Sequence, residues 1–273
     1  MPQVEFTDVS YTYPNGVEAL RSVDFSVEAG GLAVLMGENG SGKTTVLKHL
    51  NGLLKPTRGR VTIDGLETRS ASVAQLSSKV GLVFQNAEEM FFEATVADEV
   101  GFALRNFGFR NEVVEKRVRW ALNFLELESY AGVSPFMLSG GEKKRLALAI
   151  VLAWGPSIIA MDEPTIGQDS LQKEKLAQMV RLLNAQGKTV IMASHDVEFV
   201  ADIRPRVILL SKGKVVAEGE AHEILTDVEK LSRCSLLPPQ VVTTLLRLAD
   251  AGASPNIIDV ESAAAEVVEK VLS

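Results

Sequence analysis

The sequence predicts an α/β protein with a mostly parallel sheet covered on both faces, an inserted helical subdomain and a C-terminal extension. Three observations predict it. Short apolar runs recur, separated by stretches of helical periodicity, which is the pattern of parallel strands joined by helices. Between residues 95 and 153 the strand-like runs vanish and helical periodicity takes over. After about Leu225 the character changes again, and Pro238-Pro239 marks a break.

In chain order, residues 4–13 mix β-branched and aromatic residues with polar ones, as a strand with one wet face does. Residues 23–27 repeat the pattern until Gly30-Gly31 breaks it. Residues 32–36 form an apolar run too brief for a helix, and a glycine loop leads into a helix over 44–54. Strands are expected at 60–63 and 80–84. In the helical stretch, Val113, Val114, Val118, Ala121, Leu122 and Leu125 fall on one face of a helix. Then come a strand at 158–161, a helix over 171–183, a strand at 189–193 and a helix near Val197. Residues 207–210 and 215–217 flank Lys212-Gly213 as a hairpin. An amphipathic helix over 261–272 closes the chain, either as a packed tail or as a contact surface for a partner.

Composition narrows the function. The chain has 273 residues, 46% hydrophobic and 23% charged, a balance that excludes a disordered or fibrous protein. Its 28 basic and 35 acidic residues leave a net charge of −7, so it lacks the broad positive field that a nucleic-acid partner requires. Cys234 stands alone, which rules out an intrachain disulfide and fits a reducing compartment. The mixed, polar residues 1–14 do not read as a signal peptide. The longest uncharged stretch, 146–161, is interrupted by Gly155, Pro156 and Ser157 and falls short of the ~20 residues needed to cross a bilayer.

The glycine loop GENGSGKTT, at 37–45, matches G-x-x-x-x-G-K-[ST] between an apolar strand and a helix, where that motif has a mechanism. Gly37, Gly40 and Gly42 let the backbone turn its N–H groups inward onto phosphate oxygens. The helix start adds unpaired donors and a partial positive charge. Lys43 can reach the β- and γ-phosphates, the Thr44 hydroxyl can ligate Mg²⁺, and Asn39, Ser41 and Thr45 complete the expected nucleotide contacts. This chain is expected to bind a nucleoside triphosphate.

The apolar strand at 158–161 ends in Asp162-Glu163-Pro164. Parallel strands deliver ligand groups from their carboxyl ends. Asp162 is placed to hold Mg²⁺. The turn can swing Glu163 toward the γ-phosphate, where it would orient or deprotonate the attacking water, a role worth about 10²–10⁴ in rate. His195 follows another apolar strand and is expected to contact the γ-phosphate or the water. A second anion-binding helix start lies at Leu138-Ser139-Gly140-Gly141-Glu142. Two such starts can serve one nucleotide from opposite sides across a dimer.

GENGSGKTT, Gln85, LSGGEKKR, IIAMDEP, Asp169 and His195 occur in the order found in ABC-type ATPases, and over residues 4–225 the chain resembles the nucleotide-binding subunit of an ABC transporter. SYTYPNGVEAL, VGLVFQNAEEMFFEATVADEVGF, SHDVEFVAD and LLPPQVVTTL are similar to the energy-coupling-factor group, which imports cobalt, nickel or vitamins. The resemblance implies a P-loop NTPase fold, RecA-like, with an N-terminal antiparallel β subdomain. It implies an ATPase cassette over 1–225, with its helical subdomain at about 87–155, and an extension over 226–273 that takes part in subunit contacts. The cofactors implied are ATP and Mg²⁺. The partners implied are a second, identical or related ATPase, an integral-membrane coupling protein and a substrate-binding membrane subunit, with the chain peripheral on the cytoplasmic face.

The same resemblance assigns roles. Tyr13 stacks on adenine; Gln85 contacts Mg²⁺ and water and senses the membrane partner. Ser139, Gly140 and Gly141 bind the γ-phosphate held by the other subunit, and Asp169 reaches across the dimer. Residues 86–92 form the groove for a coupling helix. Three positions depart from the group: Gln168 where leucine is usual, Ala87 where proline is common, which implies a less rigid coupling segment, and Glu142 where glutamine is frequent. A soluble ABC-type ATPase not coupled to transport is the alternative. A P-loop kinase or GTPase has no need of LSGGE, and no guanine-reading N-K-x-D element is present.

Overall fold

The computed structural model describes residues 2–270. Two sheets organise the chain. Strands β1 (Val4–Thr12), β2 (Glu18–Val27), β4 (Arg58–Ile63) and β5 (Leu66–Glu67) form an antiparallel sheet in the order β2-β1-β4-β5. The other sheet runs β10-β9-β3-β8-β7-β6. Its members are β3 (Leu32–Met36), β6 (Val80–Val83), β7 (Ile158–Asp162), β8 (Thr189–Ala193), β9 (Arg206–Ser211) and β10 (Lys214–Glu220). All its pairings are parallel except that of β9 with the edge strand β10. Strands β3, β6, β7, β8 and β9 are buried nearly throughout, which is why they read as uninterrupted apolar runs.

Helix α1 (Lys43–Leu50) lies between the two sheets, where Val46, Leu47 and Leu50 share one core with Phe6 and Phe25 of the outer sheet and Leu35 of the inner one. A second core on the opposite face holds α3 (Val96–Asn106), α4 (Asn111–Phe124), α5 (Gly140–Trp154), α6 (Ser170–Ala185) and α7 (Val197–Ile203). A short helix, α2 (Val73–Ser77), precedes β6 and begins with a Ser72–Gln75 capping box.

Local boundaries differ from the sequence expectation for physical reasons. Helix α1 stops at Leu50 instead of residue 54, because Asn51 and a left-handed Gly52 turn the chain. Strand β2 begins at Glu18, five residues earlier than the expected 23. Its register against β1 shifts at bulges, and Ser22 takes φ +49°, so its buried residues do not alternate strictly. The terminal helix is described over Val260–Lys270, and the expected positions 271 and 272 lie outside the described residues.

After β10, helices α8 (Ala221–Leu225), α9 (Val228–Arg233) and α10 (Gln240–Arg247) lead to α11 (Val260–Lys270). Leu231, Cys234, Leu236 and Val242 are buried in the same core as α5 and α6, so this part of the tail is packed. Ser235 donates its hydroxyl to the Glu38 carboxylate of the glycine loop at 3.0 Å, and Arg204 pairs with Asp259 at 3.0 Å. A small separate core joins Leu245, Ala253 and Ala263. No helix among the described residues is long and apolar enough to cross a membrane.

Helix α1 buries two titratable residues, Lys43 at its start and His49 near its end. His49 is fully enclosed beside Phe6 and Tyr11, its Nδ1–H donates to the Thr45 carbonyl at 2.7 Å, and Nε2 has no partner. Burial pushes its pKa from the ordinary 6.5 down to about 4. The folded chain therefore keeps His49 neutral where the unfolded chain takes up a proton. Its contribution to stability is complete above pH 6.5 and falls away toward pH 4, by roughly 3 kcal/mol. Urea titrations from pH 7 to pH 4 should show this loss, and His49→Leu should flatten it; an equally steep decline in the variant would locate the acid sensitivity elsewhere.

Candidate functional site

The glycine loop connects the carboxyl end of β3 to α1. Gly37 has φ +150°, and a Cβ there would stand 2.0 Å from the Leu210 carbonyl of β9, so only glycine fits. Gly42 caps α1 with no side-chain acceptor, which leaves the first N–H groups of the helix free of side-chain partners. Ser41 Oγ is also buried and unpartnered. These are groups that want an anion.

Lys43, 6% exposed, donates from Nζ to the carbonyls of Gly37 (2.8 Å) and Glu38 (3.0 Å) and lies 3.7 Å from Glu163 Oε1. Glu163 follows the last residue of β7 and takes a left-handed φ of +46°, rare for a residue with a Cβ. Its N–H is held by the Ala193 carbonyl of β8 at 2.9 Å. This turn is what brings its carboxylate off the strand's alternation and in beside Lys43. The other carboxylate oxygen accepts from Nδ1 of the half-exposed His195 at 2.9 Å.

Asp162 is 4% exposed, and its Oδ1 is buried with no hydrogen-bond partner. Burial pushes its pKa up, against the opposing pull of the Thr44 hydroxyl hydrogen bond. An orphaned carboxylate oxygen beside a threonine hydroxyl suits a hard dication. Gln85 is exposed just beyond β6 and lines the same small cleft as Asp162, Glu163 and Gln168. Thr44, Gln85 and Asp162 are thus the residues here that could hold a metal. Tyr13 shares a 3.0 Å hydrogen bond with Thr45 and packs edge-on against Tyr11, which pins it next to the glycine-loop helix.

Strand ends therefore gather Lys43, Thr44, Gln85, Asp162, Glu163 and His195. The LSGGE segment belongs elsewhere: α5 packs on α3, α4 and β6, and its start at Ser139-Gly140 is exposed. Ser139 caps α5 in a reciprocal box with Glu142, whose Oε2 accepts from both Ser139 N and Oγ at 2.7 Å. Hydrogen bonds from Tyr130 and Ser139 hold the Glu142 carboxyl near pKa 2. Glu142, a minor variation in the sequence reading, thus has a structural task that the spacing S-x-x-E would have shown. Asp169 caps α6 through Gln172 N at 2.8 Å and is exposed.

Residues missed from sequence also support the segment after Gln85. Asn86 caps the turn at Ala87–Met90 through Glu88 N, and Lys143 of α5 pairs with Glu88 at 2.5 Å. The buried Glu99 carboxylate accepts the N–H groups of Phe92 and Glu93, both at 2.8 Å. These contacts hold the segment without the proline that is usual at Ala87. No local sequence signal announces Glu99.

A glycine-loop strand–helix unit facing a strand-end carboxylate pair, with a helical unit carrying LSGGE, is the architecture of an ATP-binding cassette. The ABC transporter family model matches residues 20–166, and the chain belongs to that family. It is 40% identical over 251 residues to the energy-coupling factor transporter ATP-binding protein EcfA of Methanothermobacter thermautotrophicus, covering 91% of this chain and 81% of that protein. Among solved structures it is similar to CbiO1 from Clostridium perfringens, part of the ABC transporter complex CbiONQ. That match has a TM-score of 0.76 and 28% identity, over 91% and 96% of the two chains. It also matches the ATP-binding cassette MJ0796, solved as a dimer in a post-hydrolysis state with ADP and Pi, with a TM-score of 0.74 and 34% identity over 80% and 98%. The chain is an ATPase of the energy-coupling-factor type.

Gly37→Ala tests the loop geometry. With a carbonyl 2.0 Å from the new Cβ, the loop must shift, and affinity for a fluorescent ATP analogue should fall by at least about tenfold. Unchanged affinity would show that the curl of the loop at Gly37 is dispensable.

Proposed function

We propose that this chain hydrolyses ATP in a site completed by a second cassette, and so powers an energy-coupling-factor importer of cobalt, nickel or a vitamin. The observation that carries the shared site is the exposed start of α5 at Ser139-Gly140, a capped set of amide donors separate from the phosphate loop of its own chain. ATP held by the loop Gly37, Asn39, Gly40, Ser41, Gly42, Lys43, Thr44 and Thr45 of one chain meets Ser139, Gly140 and Gly141 of the other. Tyr13 stacks on the adenine, and Asp169 reaches across. The second cassette is an identical or a related ATPase.

Within the site, Lys43 exchanges its loop carbonyls for β- and γ-phosphate oxygens. Glu163 accepts the proton of the water that attacks the γ-phosphorus as the bond to the bridging oxygen of ADP breaks. His195, through Nδ1, holds that carboxylate in place and turns its other edge toward the γ-phosphate. Mg²⁺ would be held by Thr44, Asp162 and Gln85, and when bound it offsets the charge of the phosphate oxygens. Bound triphosphate bridges donors on both chains, so phosphate loss favours the open pair, a shift that rests on differential affinity.

The relatives named above support coupling to a membrane. The chain sits peripherally on the cytoplasmic face, and residues 86–92 receive a helix of an integral-membrane coupling protein beside a substrate-binding membrane subunit. The exposed Phe92, set against Phe102 on its inner side, is the apolar surface in that segment.

Glu163→Gln should bind ATP normally while phosphate release drops by about 10²–10⁴, leaving a nucleotide-trapped dimer on a sizing column. Near-normal release would remove Glu163 from catalysis. Ser139→Arg should leave ATP binding to the single chain intact and block closure of the pair. Unimpaired ATP-dependent dimerisation of that variant, followed by light scattering, would refute a site shared across two chains.

A further inference from the structure

A cleft of about 340 Å³ opens between the end of α4, the first turns of α5 and the length of α6, away from the phosphate loop. Its volume falls within the range of small-molecule sites. The floor is apolar and nearly closed to water, built from Leu125, Leu148, Leu176 and Met179, with the half-exposed Leu182 at its edge. Three cations and one carboxylate line it. Lys175 spends its charge on that carboxylate, reaching both oxygens of Glu126 at 2.9 Å. Arg145 donates Nε to the Leu125 carbonyl at 3.0 Å.

Lys144 is different. Its ammonium donates to the Ile166 carbonyl, and no carboxylate lies within ion-pair distance among the described residues. Burial against the cleft pushes its pKa down, the signature of a cation losing water without gaining a counter-charge. An apolar floor calls for a hydrocarbon body, and an undercompensated ammonium beside it calls for a single anionic head.

We propose that this cleft binds an amphipathic monocarboxylate, with its aliphatic chain over Leu148, Leu176 and Met179 and its carboxylate on Lys144 and Arg145. The inference does not rest on the reading of the ATP site, although Lys144, Leu148 and Leu176 also line the small cleft beside Asp162 and Glu163. It has a structural consequence, however: Lys144 ties α5 to Ile166, three residues beyond Glu163, so an occupant that takes over the ammonium touches the segment joining Glu163 to α6.

The test is isothermal titration of the full chain with decanoate and, separately, with decanol. Decanoate should bind saturably at one site per chain. Decanol, which keeps the chain but not the charge, should bind at least roughly tenfold more weakly. Leu182→Glu, which places a like charge at the mouth, and Lys144→Gln, which removes the ammonium, should each weaken decanoate by roughly tenfold or more. Both positions are at least partly exposed, and a thermal melt of each unliganded variant checks that it folds. No saturable decanoate binding in the millimolar range, equal affinity for decanol, or affinity untouched in both variants would each overturn the proposal.

Discussion

Everything in the site turns on one pair of nearly dry, opposite charges at the carboxyl edge of the parallel sheet: Lys43 and Glu163, 3.7 Å apart. Taking a lone ammonium or carboxylate out of water is costly, and a buried pair holds only if further hydrogen bonds complete its shell. Two loop carbonyls do this for Lys43, and His195 does it for Glu163. The backbone is bent to the same end, by the extreme φ of Gly37 on one side and the left-handed φ of Glu163 on the other. Glu163 is tied through its N–H to Ala193 of β8, and Gly37 leaves no room for a Cβ against the Leu210 carbonyl of β9, so both turns are shaped by neighbouring strands.

Asp162 stands one residue away and behaves in the opposite manner. It has a buried oxygen with no partner and a pKa pushed up by burial, so adjacent carboxylates on one strand end face distinct environments. One is satisfied by protein groups; the other keeps a buried oxygen without a hydrogen-bond partner. That difference underlies the proposed division between a group that handles a proton and one that holds a metal, and it arises from the turn at Glu163, since both residue types are acidic and both are buried.

The tail shows how an appendage becomes part of a cassette. Leu231, Cys234, Leu236 and Val242 enter the core shared by α5 and α6, and Ser235 reaches the glycine-loop residue Glu38. The segment after Gln85 is secured in a comparable way, by Asn86, Lys143 and Glu99, each acting on the backbone or a side chain of an exposed turn. In both places buried side chains of the segment itself and polar contacts with residues distant in the chain act together.

Much was legible in the chain itself. Short apolar runs announced buried parallel strands, GENGSGKTT announced the phosphate loop, and the acids after residue 161 announced the strand-end pair, because periodicity and capping chemistry are short-range properties of neighbouring residues. The full length of β2 was hidden by its bulges, and the ends of α1 by a glycine turn. What only the tertiary structure decided was the company each charge keeps: Glu163 between Lys43 and His195, Ser235 on Glu38, Lys144 on Ile166, His49 sealed and neutral. Those partners lie up to 197 residues apart, and electrostatic energy depends on spatial separation and burial, neither of which a linear pattern carries.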